Sequence, residues 1–591
     1  MYTLDKIKRQ LVADINKALG GKSVQASDLV WPAFIKAAAG KPQPDYGDLS
    51  LPCFAAAQKS GKRAVDLAGR LVTQLPVGGD IAGIKAVGPY VNFTLSREKL
   101  ALSVLMEIAA AGDEYGKNEE GKGEKAVIEY SNANTHKEYH IGHLRNLSYG
   151  DAVNRVLAAN GYQAIPVSYI NDFGIHVAKT LWAYLEFYKK AKLPENKGYF
   201  LGQVYVRSVR EIEKNNLAKE LVGFIMKKIE SRQGDEYKLW QETRAWSIEE
   251  FSRIYAELGI KFKHIFYESE YIEAGKKLVA ELCAKGFLKK SEGAVIADLG
   301  EHGLGVLLFL RSDGTALYPV ADIPLAREKF RKFKSVKSIY VVDVRQALYF
   351  KQLFKVLALL GTKGDLMHLG YEFVTLPEGT MSSRTGNVIT YRELRDLIVE
   401  RATAETKDRH PDWPVGKIES TALALAIAAM KFEMVKVSPL QAITFEIQNA
   451  LRFDGFTAAY LQYTCARINS ILKKHDANLR MNANPRIANA SKVKANKLNF
   501  EKLAEPKEHN IILKLARYPE IVKIAGEKFD PSEVAKYLHD LAGLFNDYYH
   551  SVPVLKAEPA VCQARLTLIT AVAQVIKNGL DLLGIKTLNE M

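Results

Sequence analysis

The sequence predicts a doubly wound parallel α/β core, preceded by a separate α/β unit and followed by an all-α bundle. Three observations carry that prediction. A strand–helix–strand succession occupies residues 126–170, residues 1–118 mix helical and strand patterns, and after about residue 411 every periodic segment is helical. At roughly 100–200 residues per domain, 591 residues exceed one compact unit. The expected division is 1–118, 119–410 with an insertion at about 185–295, and 411–591.

In the first unit, Leu4, Ile7, Leu11, Ile15 and Leu19 recur at helical spacing, a second helix is predicted over 63–75, and VNFTL at 91–95 reads as a strand. Residues 112–125 are rich in Gly, Lys and Glu and read as a linker. The core then opens with AVIEY at 126–130, a short apolar run fit for a buried strand. Apolar residues at 144, 147, 153, 156 and 157 mark one face of a helix starting at Ile141, and Asn160-Gly161 closes it because glycine accepts the left-handed conformation of a helix end. AIPVSYI at 164–170 is the second strand. Such a unit binds its ligand at the C-terminal end of its first strand. Residues 185–295 are mostly helical in pattern. Strands are expected again at 306–310, 339–342 and 371–376, and bundle helices at 423–434, 458–472, 531–549 and 561–583.

Composition narrows the class. Hydrophobic residues make up 48% and charged residues 25%, which excludes wholesale disorder. The longest apolar run, 422–430, ends at Lys431 and is too short to cross a bilayer, so no membrane association is expected. Asp5 and Asp14 interrupt an N-terminus without an apolar core, which argues against a targeting peptide and for the cytoplasm. Cys53, Cys283, Cys465 and Cys562 form no CxxC pair, so neither a disulfide framework nor a structural metal is expected. The net charge of +15 fits a polyanionic partner such as nucleic acid, or merely a solvated basic surface.

The strongest local signal is His140-Ile141-Gly142-His143, between the first core strand and its helix. A helix N-terminus offers free N–H groups and partial positive charge to an anion. Gly142 lets a flat ring or a phosphate approach the backbone, and two imidazoles can donate to phosphate oxygen as charge develops. Paired histidines are also found as metal pairs or surface residues, but no third ligand lies nearby in sequence.

Around these residues the stretch IEYSNANTHKEYHIGHLRNLSYGDAVNRVLAANGY resembles the nucleotide-binding segment of class I aminoacyl-tRNA synthetases, and within that class the arginyl-tRNA synthetases. The similarity continues through DYGDLSLPCFAAA, FSRIYAELGIKFKHIFYESEY, SDGTALYPVADIPLA, IYVVDVRQALYFKQLF, LPEGTMSSRTGNV, AAYLQYTCARINSIL and NGLDLLGIKTLNEM. Ordered matches along the whole chain are more specific than any one motif. The resemblance implies a Rossmann-type core, an N-terminal domain that meets the tRNA elbow, and a helical anticodon-binding domain. It also implies activation of L-arginine by ATP with Mg²⁺, transfer to tRNA(Arg), activation that requires bound tRNA, and a monomer.

Site residues follow by position. Where the class carries a mobile K-M-S-K-S loop, this chain has Thr380-Met381-Ser382-Ser383-Arg384, so both lysines are missing. The resemblance assigns the phosphate charge to Lys137 instead, with His140 and His143 as donors, Arg384 assisting, and Gly142, Met381, Ser382 and Ser383 at the nucleotide. For arginine it implies Asp322 with Tyr318 and Gln346 at the guanidinium, and Glu129, Ser131 and Asn134 at the α-amino end. Planar paired carboxylate contacts suit a guanidinium and not an ammonium. Read without the resemblance, Glu129 and Asp322 are salt-bridged structural residues; with it, they are read as binding substrate. After the second strand the family shows a His and then Gly-Asp-Trp-Gly, whereas this chain reads Asn171-Asp172-Phe173-Gly174 followed by His176, which either touches ribose or fills the pocket wall. Tyr460, Gln462, Tyr463 and Arg467 are the candidate tRNA contacts, although an aromatic stripe at helical spacing also describes a core. Lys and Arg outnumber Asp and Glu across 471–516, giving a candidate phosphate-contacting surface. Three rivals remain at this point: a class I synthetase for another amino acid, a catalytically silent tRNA-binding paralogue, and a small-molecule nucleotidyltransferase sharing HxGH.

Overall fold

The computed structural model describes residues 1–32, 47–213, 216–375, 377, 389–482 and 500–591. The N-terminal unit comprises α1 (Thr3–Leu19), β1 (Leu49–Pro52), α2 (Phe54–Ser60), α3 (Ala64–Gln74), β2 (Ile81–Val87), β3 (Tyr90–Leu95) and α4 (Arg97–Ala111). Its strands form an antiparallel sheet in the order β1-β3-β2.

The core follows with β4 (Lys125–Glu129), α5 (Ile141–Ala159), β5 (Gln163–Ile170), α6 (Ile175–Phe187), α7 (Lys197–Ile212), α8 (Asn216–Glu230), α9 (Gly234–Glu257), β6 (His264–Tyr267) and α10 (Ile272–Ala284). Then come β7 (Lys289–Ser291), β8 (Ala294–Asp298), β9 (Val306–Leu310), α11 (Tyr318–Phe333), β10 (Lys337–Asp343), α12 (Ala347–Leu359), β11 (Asp365–Tyr371), β12 (Val374–Thr375) and α13 (Tyr391–Arg409). Five of these strands make an all-parallel sheet in the order β11-β10-β4-β5-β6. Strand order reverses between β4 and β10, and a crevice opens beyond the carboxyl ends of strands at such a switch point.

β4 is apolar throughout because both its faces are covered. Ala126 and Ile128 join the core that contains α5, whereas Val127 packs with Val167, Phe266 and Leu325 of α11. The C-terminal bundle comprises α14 (Val415–Val435), β13 (Ile443–Thr444), α15 (Ile447–Ala450), α16 (Ala458–Asn482), α17 (Pro506–Ala516), α18 (Tyr518–Lys528), α19 (Ser532–Ser551) and α20 (Pro559–Leu582). α14, α18 and α20 pack on α5, which is therefore buried on nearly all sides. Lys431 of α14 donates to Asp151 of α5 across this contact, at 3.2 Å. α20 is the one described helix long and apolar enough to span a bilayer, and it packs against α16, α17 and α19.

The parallel core with its flanking units agrees with the expected fold class, and four local expectations differ. The stretch read as an insertion at 185–295 contains β6, a full member of the core sheet; α7–α9 precede it. The expected core strand at 306–310 pairs antiparallel with β8 in a separate three-stranded sheet. The strand expected at 371–376 is displaced: β11 ends at Tyr371, and only Val374–Thr375 pair onward, with β13. Residues 112–125 do not form a free linker. Tyr115 is buried there, and its hydroxyl donates to the Leu515 carbonyl at 3.0 Å.

Candidate active site

A cavity of about 800 Å³ lies at the carboxyl ends of β4 and β10. Glu129 ends β4 and Asp343 ends β10, so the topology alone delivers both to one crevice. Helix α5 brings His140, Gly142 and His143 to one side, and α11 brings Tyr318 and Asp322 to the other. The two widely separated motifs therefore face one space.

At the histidine end, His140 is the N-cap of α5. Its Nδ1 accepts the Gly142 N–H at 3.1 Å, and the Nδ1 of His143 accepts the His140 N–H at 3.2 Å. The two rings stack with centroids 3.8 Å apart. With each Nδ1 an acceptor, the ring proton resides on Nε2, which leaves both imidazoles as outward donors. Burial, assisted by Lys137, pushes His140 down to about 4, and burial, then His140 and Lys137, hold His143 well below its ordinary value. Both are neutral at physiological pH. A Cβ on Gly142 would sit 3.0 Å from the His140 ring, a crowded approach that glycine avoids. The Nζ of Lys137 lies 5.0 Å from the Tyr205 ring centroid of α7, and its charge bears on His140, His143 and His176 alike. The Nε2 of His176 is buried without a hydrogen-bond partner, while the ring bonds the backbone at Asn171.

Met381, Ser382, Ser383 and Arg384 lie outside the described residues. The described residues before the segment line the cleft, and those after it bond the first residue of α5. Phe373 and Val374 are the lining residues, and the Ile389 carbonyl accepts the Ile141 N–H at 3.3 Å.

At the opposite end, Tyr318, Asp322, Leu325 and Lys329 fall on one face of α11 and all line the cavity. The Tyr349 hydroxyl donates to the Asp322 carboxylate, and burial pushes Asp322 up to about 6. Gln346 stands exposed on the rim and Asn134 on the wall. Glu129 lines the cavity but already pairs with Lys329 and accepts from Asn132 at 3.2 Å. Glu129 is thus salt-bridged while it lines the cavity. Lys329 stays charged: burial opposes its charge, and Glu129 outweighs that effect.

Two assignments need correction. Ser131 does not present its side chain to the cavity. It has a left-handed backbone with φ 63°, its Oγ bonds Tyr255 at 2.7 Å and Tyr139 at 3.2 Å, its N–H donates to Asn146, and its carbonyl accepts from Ser168. Gln462 is fully buried in the bundle and donates to the Lys586 carbonyl at 2.7 Å, so it faces away from any RNA. Its neighbours differ. Tyr463 and Arg467 are half-buried, the guanidinium lies 4.7 Å from the Tyr463 ring and 5.3 Å from that of Tyr549, and Arg409 covers Phe453 at 3.9 Å. Tyr460 is held by Asn546, which donates to its hydroxyl at 2.9 Å. Cys465 is buried. Residues 483–499 of the expected basic surface lie outside the described residues.

The sequence reading missed Lys329 and Tyr349, which line the cavity, and Glu268, which lies outside the lining but whose charge bears on Asp322 and Tyr318. Glu268 follows β6, accepts from Asn171 at 3.0 Å, and is pushed up to about 8 by burial, with Asp322 and Asp172 adding to the effect. The i+7 spacing puts Lys329 on the face of Asp322, but nothing local marks it as buried. Glu268 lies in the quoted YESEY string, where no spacing rule singled it out.

Three family models match in order. "Arginyl tRNA synthetase N terminal domain" covers residues 5–95, "tRNA synthetases class I (R), catalytic domain" covers 105–447, and "DALR anticodon binding domain" covers 461–591. The arginine–tRNA ligase of Bdellovibrio bacteriovorus is 35% identical over 567 residues, 94% of each chain. That of Halothermothrix orenii is 32% identical over 93% of this chain and 94% of its own. The solved arginyl-tRNA synthetase of Thermus thermophilus superposes with a TM-score of 0.77 at 27% identity, covering 99% of this chain and 100% of that one.

Proposed function

The chain belongs to the arginyl-tRNA synthetases, and from that premise we propose how its cleft carries out the ligase reaction. The enzyme is an ATP-dependent arginine–tRNA ligase that joins arginine to tRNA(Arg). The observation that supports our reading of the site is the single cavity shared by Asp322 and the two neutral imidazoles.

An arginine carboxylate oxygen attacks the α-phosphorus of ATP, the bond to the bridging oxygen breaks, and pyrophosphate leaves. Negative charge grows on the phosphate oxygens, where His140 and His143 donate from Nε2 and Lys137 supplies positive charge. Met381, Ser382, Ser383 and Arg384 complete this end from the segment that follows Phe373 and Val374 of the cleft wall, and Mg²⁺ enters with the ATP phosphates. The guanidinium lies against Asp322 beside Tyr318, Tyr349 and Gln346, with Glu268 as the second carboxylate. Asn134 and the Glu129–Lys329 pair hold the α-amino end. The terminal ribose hydroxyl of tRNA then attacks the carbonyl carbon of the adenylate and AMP departs. Tyr460, Tyr463 and Arg467 of α16 contact unstacked anticodon bases. The protein acts as a cytoplasmic monomer.

Charging assays with labelled amino acids test the assignment. A site built around a guanidinium rejects lysine by ~10⁴ or more, because its buried polar groups would be left unmatched. Charging of lysine or glutamine at a rate comparable to arginine contradicts it, and so does tight tRNA binding without any product.

A further inference from the structure

His136 has no part in the chemistry derived above, yet its backbone N–H and both ring nitrogens are held in the β4–α5 crossover. It is fully buried and has a left-handed backbone with φ 62°, a conformation uncommon for residues other than glycine. Helix α9 holds it from two positions. The His136 N–H donates to Ser247 Oγ at 3.0 Å, and its Nε2 lies 2.8 Å from Thr243 Oγ1. The Thr243 hydroxyl spends its own proton on the Leu239 carbonyl at 2.8 Å, so the His136 Nε2 is the donor. Its Nδ1 is then the acceptor, at 2.9 Å from Thr135 Oγ1. Every polar atom of the ring is used, in one tautomer. Burial, with Arg244 adding, pushes the ring down to about 3, so it stays neutral.

The residues on either side of this anchor matter. Lys137 comes next, over the Tyr205 ring of α7. Glu138 follows, pressed against α7 at Gly202, where an added Cβ would lie 2.2 Å from Glu138 Cγ and 2.8 Å from its backbone nitrogen. Two helices that precede β6 therefore grip the three residues 136–138 from separate points, and the lysine sits between the grips.

We propose that His136 is a positioning residue for Lys137, through which α9, together with the close approach of α7 at Gly202, fixes the ammonium over the Tyr205 ring, beside the histidine end of the cleft and just outside the cavity lining. The proposal rests on the reading of Lys137 as the phosphate-binding charge, and it gives the helices that interrupt the core a direct part in the chemistry.

The test is a pair of double-mutant cycles on the full chain, H136A with K137A and G202A with K137A. It is read as arginine-dependent ATP–pyrophosphate exchange with tRNA present. Displacing a catalytic group by about 1 Å costs up to ~10²-fold, so H136A and G202A each lower kcat by about 10- to 100-fold, with the arginine KM within about twofold of wild type. In the K137A background the same substitutions cost less than about threefold, since the group they position is gone. A variant that merely folds poorly loses the same factor in both backgrounds, and that result overturns the proposal. G202A removes no polar group, so it carries the test where H136A does not accumulate. No loss in K137A alone overturns the reading of Lys137 itself, and that outcome is distinguishable from the failure of the positioning role.

Discussion

The two ends of the cleft solve opposite electrostatic problems with the same physical force. At the α5 end, burial strips the proton from two imidazoles, holding His140 at about 4. At the α11 end, burial favours the protonated form of two carboxylates, raising Asp322 to about 6 and Glu268 to about 8. Desolvation disfavours whichever form is charged, so acids and bases both move toward neutrality. The consequences diverge. A neutral imidazole still donates a hydrogen bond to phosphate, so the α5 end works without a change of protonation. At pH 7 Asp322, at about 6, is already largely ionised while Glu268, at about 8, keeps its proton, so the α11 end is completed only when arginine arrives and expels the Glu268 proton. The comparison teaches that one end is set before substrate binds and the other is set by substrate.

The largest expected effect attacks the second end. D322N leaves a buried cation without its partner, a loss of about 3–5 kcal/mol, so kcat/KM for arginine falls by roughly 10²–10⁴ while the ATP KM changes little. A comparable rise in the ATP KM would place Asp322 at the wrong end. Next, H140A or H143A removes a preorganised donor and lowers kcat by ~10²–10³ with both KM values nearly unchanged. Exchange kinetics in each variant check both statements.

A pH series separates the ends directly. Both carboxylates have raised values in the free enzyme, and bound arginine favours their ionised forms. Arginine affinity is therefore greatest above about 8, falls about tenfold per unit between 8 and 6 as Glu268 takes up its proton, and falls more steeply below 6 as Asp322 follows. E268Q flattens the slope between 8 and 6. Because His140 titrates only near 4, the kcat at saturating arginine shows no histidine step over that range. The smallest effect concerns RNA. Y463A weakens tRNA binding about tenfold, in the range of one lost base stack, whereas Q462A leaves tRNA affinity unchanged and destabilises the bundle by about 1–3 kcal/mol, measurable by thermal unfolding.

Much of this was legible before any coordinates. The AVIEY strand, the α5 face and Asn160-Gly161 gave the βαβ unit, because a buried strand and a helical stripe differ in period. β6 was missed because its four residues, His264–Tyr267, carry no period of their own; only pairing with β5 identifies them. At the site, Tyr318 and Asp322 lie four apart on one helix, so their common face followed from the sequence. Lys329 continues that face, but a lysine on a helix ordinarily reads as solvated, and nothing local announces a buried partner such as Glu129. Gln462 shows an avoidable error. At 3.6 residues per turn it stands about 200° from Tyr460, on the opposite side of α16 from the stripe formed by Tyr460, Tyr463 and Arg467. Ser131 shows an unavoidable one, since its direction depends on a left-handed backbone and on Tyr255 of α9, more than a hundred residues away.

The central claim is that arginine completes its own site by driving the proton off buried Glu268 beside an already ionised Asp322. Calorimetric titration of arginine at pH 7, repeated in two buffers of different ionisation enthalpy, counts the protons released. Glu268 at about 8 and Asp322 at about 6 predict the release of about one proton per arginine bound. Binding that is independent of the buffer, or that takes protons up, contradicts the account.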